Sequence, residues 1–64
     1  MVKINGKNAD AAGKTVEEYI ESAGYQKSRI VVELNQAVLP KAEYECTRIK
    51  DGDVIEIVGF VGGG

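Results

Sequence analysis

The sequence predicts an α+β fold: a mixed sheet of four to five strands with one helix packed across one face. Three observations lead to it. Period-two patterning recurs near the start (Val2-Lys3-Ile4), in the middle (Ile30 to Leu34) and near the end (Val54 to Val58), as strands with one buried face require. A single segment, from Thr15 to Ala23, has helical spacing instead. Asn5-Gly6 stands directly after the first apolar alternation, and both residues tolerate the positive φ of a two-residue hairpin turn.

Each element follows in chain order. Met1 to Asn5 is the first strand, and Lys7 to Ala11 pairs back from the Asn5-Gly6 turn until Gly13 breaks it. Ala, Asn and Asp are poor strand formers, so this second strand is the weakest. Thr15-Val16-Glu17-Glu18 matches a capping box, in which the Thr15 hydroxyl accepts from the Glu18 amide and the Glu18 side chain returns to the Thr15 amide. Two glutamates in the first turn also suit the positive end of the helix dipole. Val16, Tyr19, Ile20 and Ala23 form one apolar stripe, and Gly24 supplies a left-handed C-terminal cap. At about two and a half turns, such a helix persists only when packed on something. The surface it needs comes next. Arg29 to Asn35 is a strand with Ile30, Val32 and Leu34 on one face and Val31, Glu33 and Asn35 on a partly solvated other face. Asn35-Gln36 begins a turn, Val38-Leu39 is a short strand stopped by Pro40, and Lys41 to Glu45 makes a single helical turn. Asp51-Gly52-Asp53 is a tight turn before the last strand, Val54 to Val58, which Gly59 ends. Its Ile55 and Ile57 point one way and its Val54, Glu56 and Val58 the other. The long crossover between first and last strands allows them to lie side by side in parallel. That arrangement is the β-grasp, or ubiquitin-like, fold, here a single domain over residues 1–64 with a flexible tail from about residue 59.

Composition narrows what such a domain can do. A chain of 64 residues buries only about 60% of the surface that its unfolded form exposes, so its core must be regular. With one Cys it has no internal disulfide framework or zinc ribbon, and with no His it lacks the commonest metal ligand and acid–base catalyst. Eight Lys/Arg against ten Asp/Glu, net charge −2, give no general attraction to nucleic acid or anionic lipid. No apolar run approaches the ~20 residues of a membrane span, and no signal-peptide core is evident. A soluble, cytoplasmic protein with no resident metal or cofactor is expected.

Four features remain for chemistry. Gly62-Gly63-Gly64 follows a strand with no polar spacer and ends the sequence. As a linker or scar it would be inert. As a working end it would present the α-carboxylate itself, because residues without Cβ can enter a channel too narrow for any other. From Val58 to Gly64 the chain can reach about 20 Å at ~3.3 Å per residue. That carboxylate is ionised at neutral pH and is a poor electrophile, so another protein must activate it, most simply as an acyl-adenylate made from ATP. Cys46 sits in Glu43-Tyr44-Glu45-Cys46 with no histidine anywhere and only Arg48 nearby, which favours a filler or surface residue over a nucleophile. Asp51, Asp53 and the helix glutamates lack the density of a calcium loop; turn geometry and helix capping explain them. Val54, Glu56 and Val58, with Phe60 just beyond, offer either edge packing or an apolar docking patch beside the tail.

Asp51 to Val58, followed by Phe60-Val61-Gly62-Gly63-Gly64, resembles the end of the ThiS family of sulfur carriers. Val32 to Lys41 resembles the family's central strand–turn segment, with Asn35 ahead of an apolar-Pro-basic group, and Val2 to Lys7 resembles its opening. Lys41 stands where many members have Arg. The resemblance covers the whole chain, and its specific motif is the glycine end. It implies a carrier with no catalysis of its own for thiazole formation in thiamine biosynthesis. A ThiF-type adenylyltransferase, using ATP and Mg, would activate the Gly64 carboxylate. Sulfur drawn from a cysteine desulfurase would make it a thiocarboxylate, and the ThiG thiazole synthase would consume it. Gly62 and Gly63 would give passage into the partner, and Val58, Phe60 and Val61 would dock. A MoaD-like carrier for molybdopterin, other sulfur carriers and small protein modifiers share this tail chemistry. An inert interaction module and a thiol enzyme using Cys46 are the alternatives of other classes.

Overall fold

The computed structural model describes residues 1–59. Five strands form one sheet: β1 (Val2–Ile4), β2 (Lys7–Ala9), β3 (Ile30–Leu34), β4 (Ala37–Leu39) and β5 (Val54–Gly59). One helix, α1 (Val16–Ser22), lies between β2 and β3 in sequence. The strand order is β2-β1-β5-β3-β4. The two hairpins thus flank the last strand, and β1 runs parallel to β5 with Lys3 beside Val54 and Ile4 beside Ile55. This is the β-grasp arrangement that the patterning predicts.

The sheet buries one face. Val2 and Ile4 from β1, Ile30 and Val32 from β3, and Ile55 and Ile57 from β5 are all buried. All six are β-branched and stiff at χ1, which suits close packing on a pleated surface. Val16 and Ile20 of α1 close over them. Tyr19 is only half-buried and Ala23 is exposed, so the expected stripe narrows before the helix ends. Leu34 and Leu39 pack at the margin. The second strand stops at Ala9, two residues short of the predicted end, but Ala11 is buried in the core.

Both helix ends are satisfied as the sequence implies. Thr15 accepts from the Glu18 amide at 3.1 Å, and Glu18 accepts from the Thr15 amide at 2.9 Å. The next two amides, Val16 and Glu17, have no partner within a helix; here they donate to the carbonyls of Thr47 and Tyr44 at 2.9 and 3.0 Å. Gly24, with φ 85°, lets the chain reverse so that the Tyr25 amide returns to the Ile20 carbonyl. The segment between β4 and β5 is more than a connection. It starts with a 3₁₀ turn over Lys41–Glu43, two residues shorter than predicted, and then buries Tyr44 and Ile49 completely. Ile49 also exchanges backbone bonds with Gly13 and Lys14, closing the bottom of the core. A second 3₁₀ turn, Lys27–Arg29, leads into β3. There Lys27 pairs with Glu17 at 2.9 Å and lies 5.4 Å above the Tyr44 ring. The hydrogen bond to Glu17 raises the Lys27 pKa above its ordinary value.

Candidate functional site

The candidate working end is the C-terminal end of β5, from which residues 60–64 follow. Three elements place it. On one side β3 runs antiparallel to β5, from Leu34 opposite Ile55 to Ile30 opposite Gly59. On the other side β1 accompanies β5 only as far as Ile55. On the buried face Ile55 and Ile57 anchor the strand in the core. Gly59 itself still belongs to β5.

Where β1 stops, a side chain takes over. Asn5, at φ 52°, begins the two-residue turn to β2, and its amide still donates to the Ile55 carbonyl at 2.9 Å. Its Oδ1 then accepts from the Ile57 amide at 2.8 Å, the bond that a continued β1 would have supplied from backbone. Gly6, at φ 81°, turns the chain away. At the other end of β5, Asn35 plays the matching part. It also has φ 52°, its Oδ1 accepts from the Val54 amide at 2.9 Å, and its Nδ2 donates to Asp53 at 3.1 Å. Asp53 in turn closes the Asp51-Gly52-Asp53 turn by accepting from the Lys50 amide. Sequence reading assigned both asparagines to turns and missed their side-chain roles. The available signal was an Asn at the first position of each two-residue turn, where a short amide side chain reaches a neighbouring strand.

The sheet face away from α1 is open. Val54 and Val58 are 44% and 53% exposed; of the expected docking residues Val58, Phe60 and Val61, Val58 alone is among the described residues. Val31, half-buried, lies directly opposite Val58, and exposed Val38 lies opposite Glu33. Glu33 and Glu56 face each other in the same register. Like charges in that position repel, and neither carboxylate enters an ion pair among the described residues. Phe60, Val61, Gly62, Gly63 and Gly64 lie outside the described residues.

Elsewhere the described residues offer little chemistry. Cys46 is exposed, with its Sγ 3.5 Å from the Glu43 carbonyl as a weak local donor, and no base adjoins it. Among the described residues no three His, Cys, Asp or Glu side chains come together as a metal cluster. A half-open cavity of about 380 Å³ beside the first hairpin is lined by Ile4, Asn5, Lys7, Ala9, Tyr19 and Tyr25, with Lys7 its one charged group. It contains no acid–base pair. Among the described residues, no helix is long and apolar enough to cross a membrane.

The comparisons with known proteins agree with this geometry. The ThiS family model matches residues 2–64. A sulfur carrier protein ThiS from Bacillus subtilis is 35% identical over 66 residues, covering all of both chains. A thiazole synthase from Paramagnetospirillum magneticum is 39% identical over 62 residues; these are 95% of this chain but 19% of that one, so this chain spans about a fifth of that relative's length. Among solved structures, the crystal structure of the thiamine biosynthesis protein ThiS from Geobacter metallireducens superposes with a TM-score of 0.77 at 34% identity, over 98% of this chain and 97% of that one. With the family model matched from residue 2 to the last glycine and a ThiS structure superposing over 98% of its length, the chain belongs to the ThiS family.

Proposed function

We propose that this chain is a sulfur carrier for thiazole formation in thiamine biosynthesis, acting as a co-substrate of its partner enzymes. The family match through Gly64 carries the reading. The whole of residues 1–64 serves as one ubiquitin-like carrier domain, with the residues after β5 as its working tail.

The chemistry follows from the carboxylate. At neutral pH the Gly64 α-carboxylate is ionised and unreactive toward nucleophiles. A ThiF-type adenylyltransferase, holding ATP and Mg, lets a carboxylate oxygen attack the α-phosphorus, and pyrophosphate leaves. A sulfide equivalent, drawn from a cysteine desulfurase, then attacks the acyl carbon, forming a C–S bond as AMP leaves. The resulting thiocarboxylate gives its sulfur to thiazole synthase. Gly62 and Gly63 give this end its narrow cross-section, and Val58, Phe60 and Val61 dock beside it. ATP and Mg belong to the partner, and the carrier works in the cytoplasm, where ATP is supplied.

The relative from Paramagnetospirillum magneticum favours the thiazole pathway over molybdopterin. There a segment like this chain occupies about a fifth of a polypeptide named thiazole synthase, and joining carrier and consumer in one chain raises their effective concentration. Intact-mass measurement tests the reading. Incubation with the activating enzyme, ATP and a sulfide source should replace one oxygen by sulfur, and deletion of Gly63 and Gly64 should abolish the change. An unaltered mass in the full chain overturns the carrier reading. Consumption of the thiocarboxylate by molybdopterin synthase and not by thiazole synthase transfers the chain to the MoaD-like role.

A further inference from the structure

The alternation of hydrogen bonds along β5 leaves an opening at its end. The Asn35 amide donates to the Val54 carbonyl at 2.7 Å. In an antiparallel ladder, bonded and non-bonded pairs alternate. Bonding toward β3 therefore falls on Val54, Glu56 and Val58, while Ile55, Ile57 and Gly59 turn their N–H and C=O toward the β1 side. The Ile55 carbonyl and Ile57 amide are used there, by the Asn5 amide and the Asn5 side chain. The Ile57 carbonyl and the Gly59 amide, next along the same edge, have no backbone partner among the described residues.

This gap differs from the edges at β2 and β4. It lies inside the sheet, beside the central strand, one residue before the segment that ends in Gly64. Free N–H and C=O groups on a strand edge pair with another extended backbone. A single incoming residue can fill both: its N–H meets the Ile57 carbonyl and its C=O meets the Gly59 amide, the spacing of a parallel ladder in phase with β1. A Cβ built on Gly59 would meet nothing closer than the Arg29 carbonyl at 4.0 Å, so this strand position tolerates a side chain.

We infer that an extended segment of the thiazole synthase adds to this edge of β5, pairing by backbone with Ile57 and Gly59 and so aligning the residues that follow with the enzyme's active site. The inference rests on the carrier reading above. Its chemistry is main-chain recognition at a strand edge, independent of the valine face on the sheet's outer side.

Amide hydrogen exchange, followed by NMR on the full chain with and without saturating thiazole synthase, tests it. In the free chain the Gly59 amide should exchange quickly, while the Val58 amide, bonded to β3, is slow. In the complex Gly59 exchange should slow by about tenfold or more. A saturated complex in which Gly59 is no slower overturns strand addition and leaves the carrier reading intact. No complex at all overturns the carrier's assignment to this enzyme, and the strand addition with it. Protection that appears with rising concentration of the chain alone assigns the edge to a second copy and overturns the enzyme as occupant. Two variants give an independent readout. Gly59→Ala keeps the N–H and is the reference for adding side-chain atoms at this position. Gly59→Pro removes it without taking any bond from β3, and should fold normally and bind about tenfold more weakly. Equal affinities for the two variants overturn the proposal.

Discussion

At its start β5 is tied on both sides, and near its end on one side by backbone and on the other by a single amide side chain. Val54 accepts from Asn35 and donates to it, Asp53 links to both Asn35 and Lys50, and the Met1 amino group pairs with Asp51 in the same turn. Toward Gly59, the β1 side offers, among the described residues, only the Asn5 side chain to Ile57. The two ends use the same device, an asparagine at φ 52° opening a two-residue turn, but in different company. One end closes the fold, whereas the other is left sparsely tied, an asymmetry that suits the carrier role proposed above.

Breaking the device at the sparse end should cost most. Asn5→Ala loses asparagine's tolerance of positive φ and leaves the part-buried Ile57 amide without an acceptor, together about 2–3 kcal/mol. Asn5→Asp keeps an oxygen in place and tolerates the same backbone, so its cost should stay under about 1 kcal/mol. Urea unfolding of the two variants measures the difference. If Asp proves as costly as Ala, the side-chain cap to Ile57 is not what Asn5 contributes.

The same truncation at the crowded end should cost less. Asn35→Ala also suffers at positive φ, but its lost partners are exposed and water replaces them, leaving about 1–2 kcal/mol. Urea midpoints ranked Asn5→Ala above Asn35→Ala would bear out the contrast between the ends; the reverse order would remove it.

The second turn position separates the two ends again. Gly6 and Gln36 both have positive φ, 81° and 73°, and only glycine takes that region without a steric penalty. Gln36→Gly should therefore stabilise the chain by about 0.5–1 kcal/mol, seen as a higher melting temperature, while Gly6→Ala should destabilise it by about 1 kcal/mol.

How far these features are legible in the sequence depends on the range of the interaction behind them. Asn5-Gly6 reads directly as a hairpin because its signal is local, and the capping box from Thr15 to Glu18 reads for the same reason. Ile55 and Ile57 read as core because period two states their face. Tyr44 and Ile49 do not, since their burial follows from a loop folding under the helix and no periodicity announces it. Gln36 hides its backbone state because glutamine has no preference for positive φ. The candidate site divides in the same way. Its glycine end is plain in the composition, and the exposure of Val54 and Val58 follows from alternation. The role of Asn5 toward Ile57 spans 52 positions, and only the parallel pairing of the first and last strands brings those residues together.

The smallest effect belongs to the ion pair at the crowded end. Asp51 accepts a hydrogen bond from the Met1 amino group, which holds its carboxyl below the ordinary value of 3.8. A carboxyl with a depressed folded-state pKa stabilises the fold above its unfolded value, and that contribution is lost as pH falls through the folded value. Both groups are largely exposed, so solvent and salt screen the pair and the contribution is small. Asp51→Asn should therefore lower the melting temperature slightly at neutral pH and low salt. The difference from the parent should fade as pH falls through the parent carboxyl's folded-state value, and should shrink with added salt at neutral pH. A difference that persists in acid would mean that Asp51 acts through the turn backbone and not through its charge. The start of β5 would then be held by hydrogen-bond geometry alone, like its end.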